Sequence, residues 1–140
     1  MEIIDAENQV LGRLASTVAK ELLNGKNIHI INAEKTLITG NPKYILEFYT
    51  QKTQRGDPYH GPFFPRTPNG MLKKTVKGML PKNAKGRAAL KKLMIHISVP
   101  AELQGKEFKK YKAAEKKIMP KSITLGGLSI KLGHKKMWKI

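Results

Sequence analysis

The sequence predicts an α/β fold with parallel strands, and three observations carry that expectation. An apolar strand, an amphipathic helix and a second apolar strand fill residues 2–32, the spacing of a βαβ unit with a right-handed crossover. Two more amphipathic stretches lead into another apolar strand, Met94–Val99, closed by Pro100. The chain has 140 residues, enough for one domain with a modest core, and it contains no internal repeat.

Glu2–Ala6 (EIIDA) is short and apolar, as a buried strand requires. In LGRLASTVAKELLNG, Leu11, Leu14, Ala15, Val18, Ala19 and Leu22 recur at helical spacing, with Arg13, Ser16, Thr17, Lys20 and Glu21 opposite. Gly25 suits the left-handed position that follows a helix. Asn27–Asn32 (NIHIIN) supplies the second strand, and Thr36–Thr39 a further short one. After the break at Gly40-Asn41-Pro42, Tyr44–Thr50 reads as a helix presenting Tyr44, Ile45, Phe48 and Tyr49. The segment QRGDPYHGPFFPRTPNG holds four prolines and three glycines, which forbid regular structure. A loop of that length is functional or disordered, and Tyr59, Phe63 and Phe64 argue against plain disorder.

Met71–Leu80 places Leu72, Val76, Met79 and Leu80 on one helical face and Lys73, Lys74, Lys77 and Gly78 on the other, and Pro81 ends it. Ala84–Leu93 repeats the division, with Ala89, Leu90 and Leu93 against Lys85, Arg87, Ala88, Lys91 and Lys92. Lys106–Lys117 is polar and lysine-rich and reads as a solvated helix. Leu125–Leu132 (LGGLSIKL) fits a short helix with its leucines on one side, or a strand, because two glycines weaken the helix.

Charge narrows the function. The chain carries 27 Lys plus Arg against 10 Asp plus Glu, a formal net charge of +17. Residues 1–40 are nearly balanced at −1, whereas 41–100 carry +10 and 101–140 carry +8. No acid occurs between residues 58 and 101. Such an excess repels itself in the folded state, so a polyanionic partner is expected, nucleic acid first and an anionic membrane surface second. A lysine face on one helix is ordinarily a solvated face; two consecutive acid-free helices point to phosphate. The mixture with aromatics and Gly-Pro loops favours structured RNA over duplex DNA. Tyr59, His60, Phe63, Phe64 and Trp138 are candidate stacking groups, with loop anchoring the alternative for Phe63 and Phe64. Gly78 and Ala88 on the basic faces leave room for close approach of a partner's backbone.

Other classes find little support. There is no cysteine, which excludes disulfides, thiolate zinc sites and cysteine nucleophiles. No apolar run reaches the ~18 residues of a membrane span, and the N-terminus lacks a signal-peptide pattern, so a soluble intracellular protein is expected. A nucleotide-dependent enzyme on a parallel sheet would show G-x-G-x-x-G or G-x-x-x-x-G-K-[ST], and neither is present. His29, His60, His96 and His134 are dispersed, and His29 and His96 within apolar strands read as satisfied core histidines. Asp5 and Glu34 follow strands, where α/β active sites lie, but without a partner base they read as caps or loop bridges.

Taken in order, DAENQVLGRLAS, IINAEKTLITGN and VKGMLPKNAKGRAALKKLMIHI resemble the large-subunit ribosomal protein L13 (uL13) family over about Ile3–Val99. KGMLPK followed by GRAALKKL is the most specific part. RGDPYHGPFFPRTP and the ending LGGLSIKLGHKKMW look like the archaeal-eukaryotic branch, and the brevity of the chain like its archaeal members. The resemblance implies a three-layer α/β/α fold around a four-stranded, mainly parallel sheet. It implies a core at 1–100, with the Gly/Pro/aromatic loop at 51–70, and a basic extension at 101–140 packing on the core and on RNA. It implies a non-enzymatic structural protein of the large subunit that binds 23S-type rRNA and neighbouring ribosomal proteins and acts early in assembly. The expected location is the cytoplasmic ribosome, with no cofactor, metal, membrane or small-molecule substrate. The expected RNA-binding residues are Arg55, Tyr59, His60, Arg66, Lys73, Lys74, Lys77, Lys82, Lys85, Arg87, Lys91, Lys92, Lys135, Lys136 and Trp138.

Overall fold

The computed structural model describes residues 1–115 and 121–135. Its first strand, β1 (Glu2–Asp5), leads into α1 (Leu11–Leu23) and returns as β2 (Ile28–Ile31), which pairs parallel to β1 with Ile4 opposite Ile30. The helix forms where the apolar period predicts, and Leu11, Leu14, Ala15, Val18, Ala19 and Leu22 are all buried. Gly25 has φ 91°, the left-handed conformation that stops α1 at little steric cost.

A short β3 (Leu37–Thr39) precedes α2 (Pro42–Gln54), and the Pro-rich loop then reaches α3 (Pro68–Met79). After the turn at Pro81 come α4 (Ala84–Lys91) and β4 (Leu93–Ile95), which adds to β2 in parallel. 3-10 turns at Ala101–Leu103 and Lys112–Ala114 follow, and later in the chain come β5 (Ser122–Thr124) and α5 (Leu125–Lys131). Several expectations are corrected here, among the described residues. The sheet is not four-stranded: β1, β2 and β4 form a three-stranded parallel sheet in the order β1-β2-β4, and β3 pairs antiparallel with β5 in a separate two-stranded sheet. The described part of 106–117 is not a solvated α-helix. It runs beside β1, with Lys109 N donating to Ile3 O at 2.9 Å and Asp5 N to Lys109 O at 3.0 Å, backbone partners that a strand edge offers and water would otherwise supply. Leu93 begins β4 instead of ending α4, β4 stops at Ile95 so that His96–Val99 lie outside the expected strand, and Met79 is exposed. The LGGLSIKL ambiguity resolves as helix, because Thr124 Oγ1 caps Gly127 N at 3.1 Å and Leu125 and Leu128 are fully buried.

One face of the parallel sheet, with Ile4, Ile28, Ile30 and Leu93, joins α1, α3 and α4 in the main core. The opposite face buries Ile3 and Ile31 under Leu103 and Val99 in a smaller cluster. Asp5 closes the end of β1, its Oδ1 accepting from Asn32 Nδ2 at 2.8 Å and Glu7 N at 3.0 Å, while Lys110 Nζ lies 3.0 Å from Oδ2. Burial alone would raise the Asp5 carboxyl, yet these donors hold it below its usual range.

Leu72 is fully buried in the core, and Leu72→Ala is expected to lower stability by about 3 kcal/mol in urea melts. A depressed carboxyl stabilises the fold above its unfolded pKa and loses that contribution as pH falls through its folded value. The urea midpoint is therefore expected to drop on acidification through the carboxylate range, and to drop less steeply in Asp5→Asn.

Candidate nucleic-acid interface

The basic surface is built by two capped helices and the turn between them. Thr67 Oγ1 accepts from Gly70 N at 3.2 Å, and Pro68 occupies the first turn of α3, where its missing N–H costs nothing. Met71, Leu72 and Val76 are buried on the side facing α1, which turns Lys73, Lys74 and Lys77 to solvent. Pro81 prevents continuation. Asn83 Oδ1 then accepts from Gly86 N at 2.9 Å and starts α4. The first turn of α4 presses against the preceding turn: a Cβ at Gly86 would lie 1.9 Å from Pro81 O. Gly78, by contrast, has nothing within 4 Å of where its Cβ would stand.

Between α3 and α4 opens a cleft of about 740 Å³. Lys73, Lys74, Lys77, Lys82 and Arg87 line it over a floor that includes Leu80, Pro81 and Leu90. Among the described residues no carboxylate lines it. Among the described residues the carboxylate ion pairs lie elsewhere: Lys26 with Glu2 and Glu21, Lys35 with Glu7, Lys110 with Asp5 and Glu7, and His60 with Asp57. Five cations on a concave, partly apolar surface concentrate positive potential, because low-dielectric walls focus the field outward. Such a site suits a chain of phosphates.

The other expected residues are more dispersed. Lys85 and Lys91 are exposed on α4 but do not line the cleft. Lys92 Nζ donates to Gly25 O at 3.1 Å and so ties the end of α4 to the end of α1. Arg55 follows α2 at the base of a tight loop closed by Asp57 N to Gly61 O and Gly61 N to Asp57 O. Asp57 also accepts from Tyr59 N at 2.9 Å and pairs with His60 Nδ1 at 2.8 Å. These two donors, the backbone one first, hold the Asp57 carboxyl low. Tyr59 is left 88% exposed at the loop tip. Arg66 is exposed, and its carbonyl accepts from Ser129 Oγ at 2.5 Å, joining the loop to α5. Lys135 is exposed; Lys136 and Trp138 lie outside the described residues.

The two readings of Phe63 and Phe64 divide between them. Phe63 is 69% exposed at the cleft. Phe64 packs on the core and meets Tyr49 edge-on at 5.7 Å. Lys74 links the two, donating to Phe63 O at 3.3 Å with its ammonium 4.4 Å from the Phe64 ring centroid. Tyr44 and Phe48, which the sequence places on the presented side of α2 without a binding role, join the half-buried Lys52 in an aromatic–cationic face beside the loop. Their spacing of four residues was the available signal.

The sheet end, where an α/β enzyme would work, is occupied by structural bonds. Glu34 accepts from Ser98 N at 3.1 Å, and Asp5 bridges Asn32 and Lys110, so both acids tie loops together as expected. His29 and His96 pair with each other, Nδ1 to Nε2 at 3.3 Å. Burial first, then the charges of His96 and Lys106, push His29 down toward the neutral form. No helix among the described residues is long and apolar enough to cross a membrane.

The family described as Ribosomal protein L13 matches residues 1–102. The large ribosomal subunit protein uL13 of Archaeoglobus fulgidus is 44% identical over 137 residues, covering 95% of this chain and 88% of that protein. That of Methanosphaera stadtmanae is 46% identical over 138 residues, covering 95% and 97%. That of Aeropyrum pernix is 40% identical over 140 residues, covering 95% and 90%.

Two of the three glycines that line the cleft, Gly86 and Gly78, are expected to respond in opposite ways. Gly86→Ala drives a Cβ into a backbone carbonyl and should cost about 1–3 kcal/mol in thermal melts. Gly78→Ala enters open space in a helix and should raise stability by up to about 1 kcal/mol.

Proposed function

The chain belongs to the ribosomal protein L13 family, and from that premise we propose that it is a non-enzymatic structural component of the large ribosomal subunit whose α3–α4 cleft grips the rRNA backbone. The observation that carries this reading is the cleft itself: five cations converge there, and among the described residues no carboxylate lines it. Phosphates entering the cleft release their condensed counterions, which supplies affinity without reading base identity. Gly78 leaves space at the wall for a sugar-phosphate strand to approach closely.

Lys91, one turn beyond Arg87, extends the basic face along α4, Lys85 adds an exposed cation on another side of it, and Arg55, Tyr59, His60 and Arg66 present a second contact region on the loop. The loop tip is held by its own hydrogen bonds, so Tyr59 offers a stacking ring at low ordering cost. The segment 101–140, whose β5 and α5 also complete the core, carries a net charge of +8 and adds rRNA and protein contacts. The fold stands on its own hydrophobic core, which suits a protein that joins the rRNA early and stabilises a local arrangement on which later components build.

Binding of the full chain to a large-subunit rRNA fragment is expected to fall with salt, with a slope of about −4 in log K against log concentration for some five phosphate contacts. Replacing Lys77, Lys82 and Arg87 together by alanine should weaken binding at least ~10-fold and reduce the slope by about 2, with an unchanged melting temperature. An unaltered affinity in that variant would refute the cleft as the rRNA-binding site.

A further inference from the structure

The surface beside the cleft carries a feature that phosphate binding leaves unused. α2 turns Tyr44 and Phe48 outward, 68% and 42% exposed, with ring planes 18° apart and centroids separated by 6.4 Å. Phe48 meets Tyr49 edge-on at 5.6 Å, and Tyr49 meets Phe64 at 5.7 Å. Lys52 Nζ stands 4.2 Å from the Phe48 centroid and 5.8 Å from that of Phe64. Lys74, which lines the cleft, covers the Phe64 ring at 4.4 Å. The rings thus form a ladder that begins where the cleft ends. Tyr49 and Phe64 are its anchored end, packed on the core, and Tyr44 and Phe48 its open end.

We propose that this ladder stacks the bases of an unpaired stretch of RNA whose backbone continues from the cleft. The inference rests on the cleft being the rRNA-phosphate site, and it adds the form of RNA that runs on from there. A duplex keeps its base faces inside the stack and offers proteins only its backbone and groove edges; unpaired nucleotides expose π-faces that fit aromatic rings. The charge pattern selects RNA over a protein partner. A protein-docking patch typically excludes lysine from its apolar centre, because desolvating an ammonium is costly. Here Lys52 sits among the rings, where it polarises them and remains available to a phosphate.

The test uses the full chain, with fluorescence anisotropy on two labelled RNAs: a single-stranded oligouridylate of about 12 nucleotides and a fully paired hairpin. Tyr44→Leu combined with Phe48→Leu keeps the apolar cover and removes the π-faces. This variant is expected to bind the single strand about tenfold more weakly and the hairpin within about twofold of the parent. Lys77→Ala combined with Arg87→Ala is expected to weaken both. If the leucine variant binds the single strand like the parent while the cleft variant weakens both RNAs, the ladder proposal is overturned and the cleft reading stands. A cleft variant without effect on either RNA overturns both. Ultraviolet cross-linking of the unaltered protein to the oligouridylate gives an answer independent of any variant's folding. Nucleotides attached to the peptide bearing Tyr44 and Phe48 support the proposal, and their absence from it counts against it. Unchanged RNA binding, with loss of a protein neighbour from assembled large subunits, would assign the rings to a protein and overturn it too.

Discussion

The apolar seam between α1 and α3 is the contact that orients everything the molecule presents to a partner. Leu14, Ala15 and Val18 on one helix and Leu72 and Val76 on the other lose all contact with water, and Ala19 and Met71 almost all. A helix advances about 100° per residue, so burying positions 72 and 76 leaves positions 73, 74 and 77 little choice but to face outward. Turning α3 by one residue would put a lysine ammonium into the seam, at a cost of several kcal/mol. The hydrophobic effect, which has no interest in RNA, is therefore what aims the cations.

Charge is sorted in the same act. The acids are concentrated in the first βαβ unit, where Glu2, Asp5, Glu7 and Glu21 meet Lys26, Lys35 and Lys110. Glu21 and Glu2 raise the pKa of Lys26, and Glu7 raises that of Lys35. Exposed pairs of this kind contribute little to stability. Their larger effect is to engage the carboxylates at a distance from the α3–α4 cleft, whose positive charge stays uncancelled by its own lining. A surface that is electrostatically unfavourable alone becomes favourable once a polyanion is added.

The shape of the cleft depends on backbone chemistry at its ends. Asn83 and Thr67 satisfy amides that start the two helices, and Gly86 allows the first turn of α4 to press against Pro81. The aromatic ladder on α2 adds a chemically different surface to the same side of the fold, joined to the cleft through Lys74. Phosphate attraction and base stacking fall off differently with salt, since only the first depends on counterion release. A binding face that combines them keeps part of its affinity when ionic strength rises.

Helix positions, their buried stripes and their basic faces were legible in the residues themselves, because an amphipathic period is a local property and each helix buries its own stripe. The βαβ start, the left-handed Gly25, the structural roles of Asp5 and Glu34 and the lysines of α3 and α4 all follow from neighbours close in sequence or from strand ends. The partner of β3 did not. Leu37–Thr39 carries no mark of whether it joins the parallel sheet or pairs with Ser122–Thr124, more than eighty residues later, because three residues offer the same hydrogen-bonding groups to either neighbour. Lys106–Lys110 looked like solvated helix until β1 supplied a backbone edge for it. Five of the basic residues gather in one cleft and Lys92 is diverted to Gly25; that was settled by helix packing, as was the ladder from Tyr44 to Phe64. Contacts between distant segments depend on how the pieces are set against each other in space, and only the tertiary structure contains that arrangement.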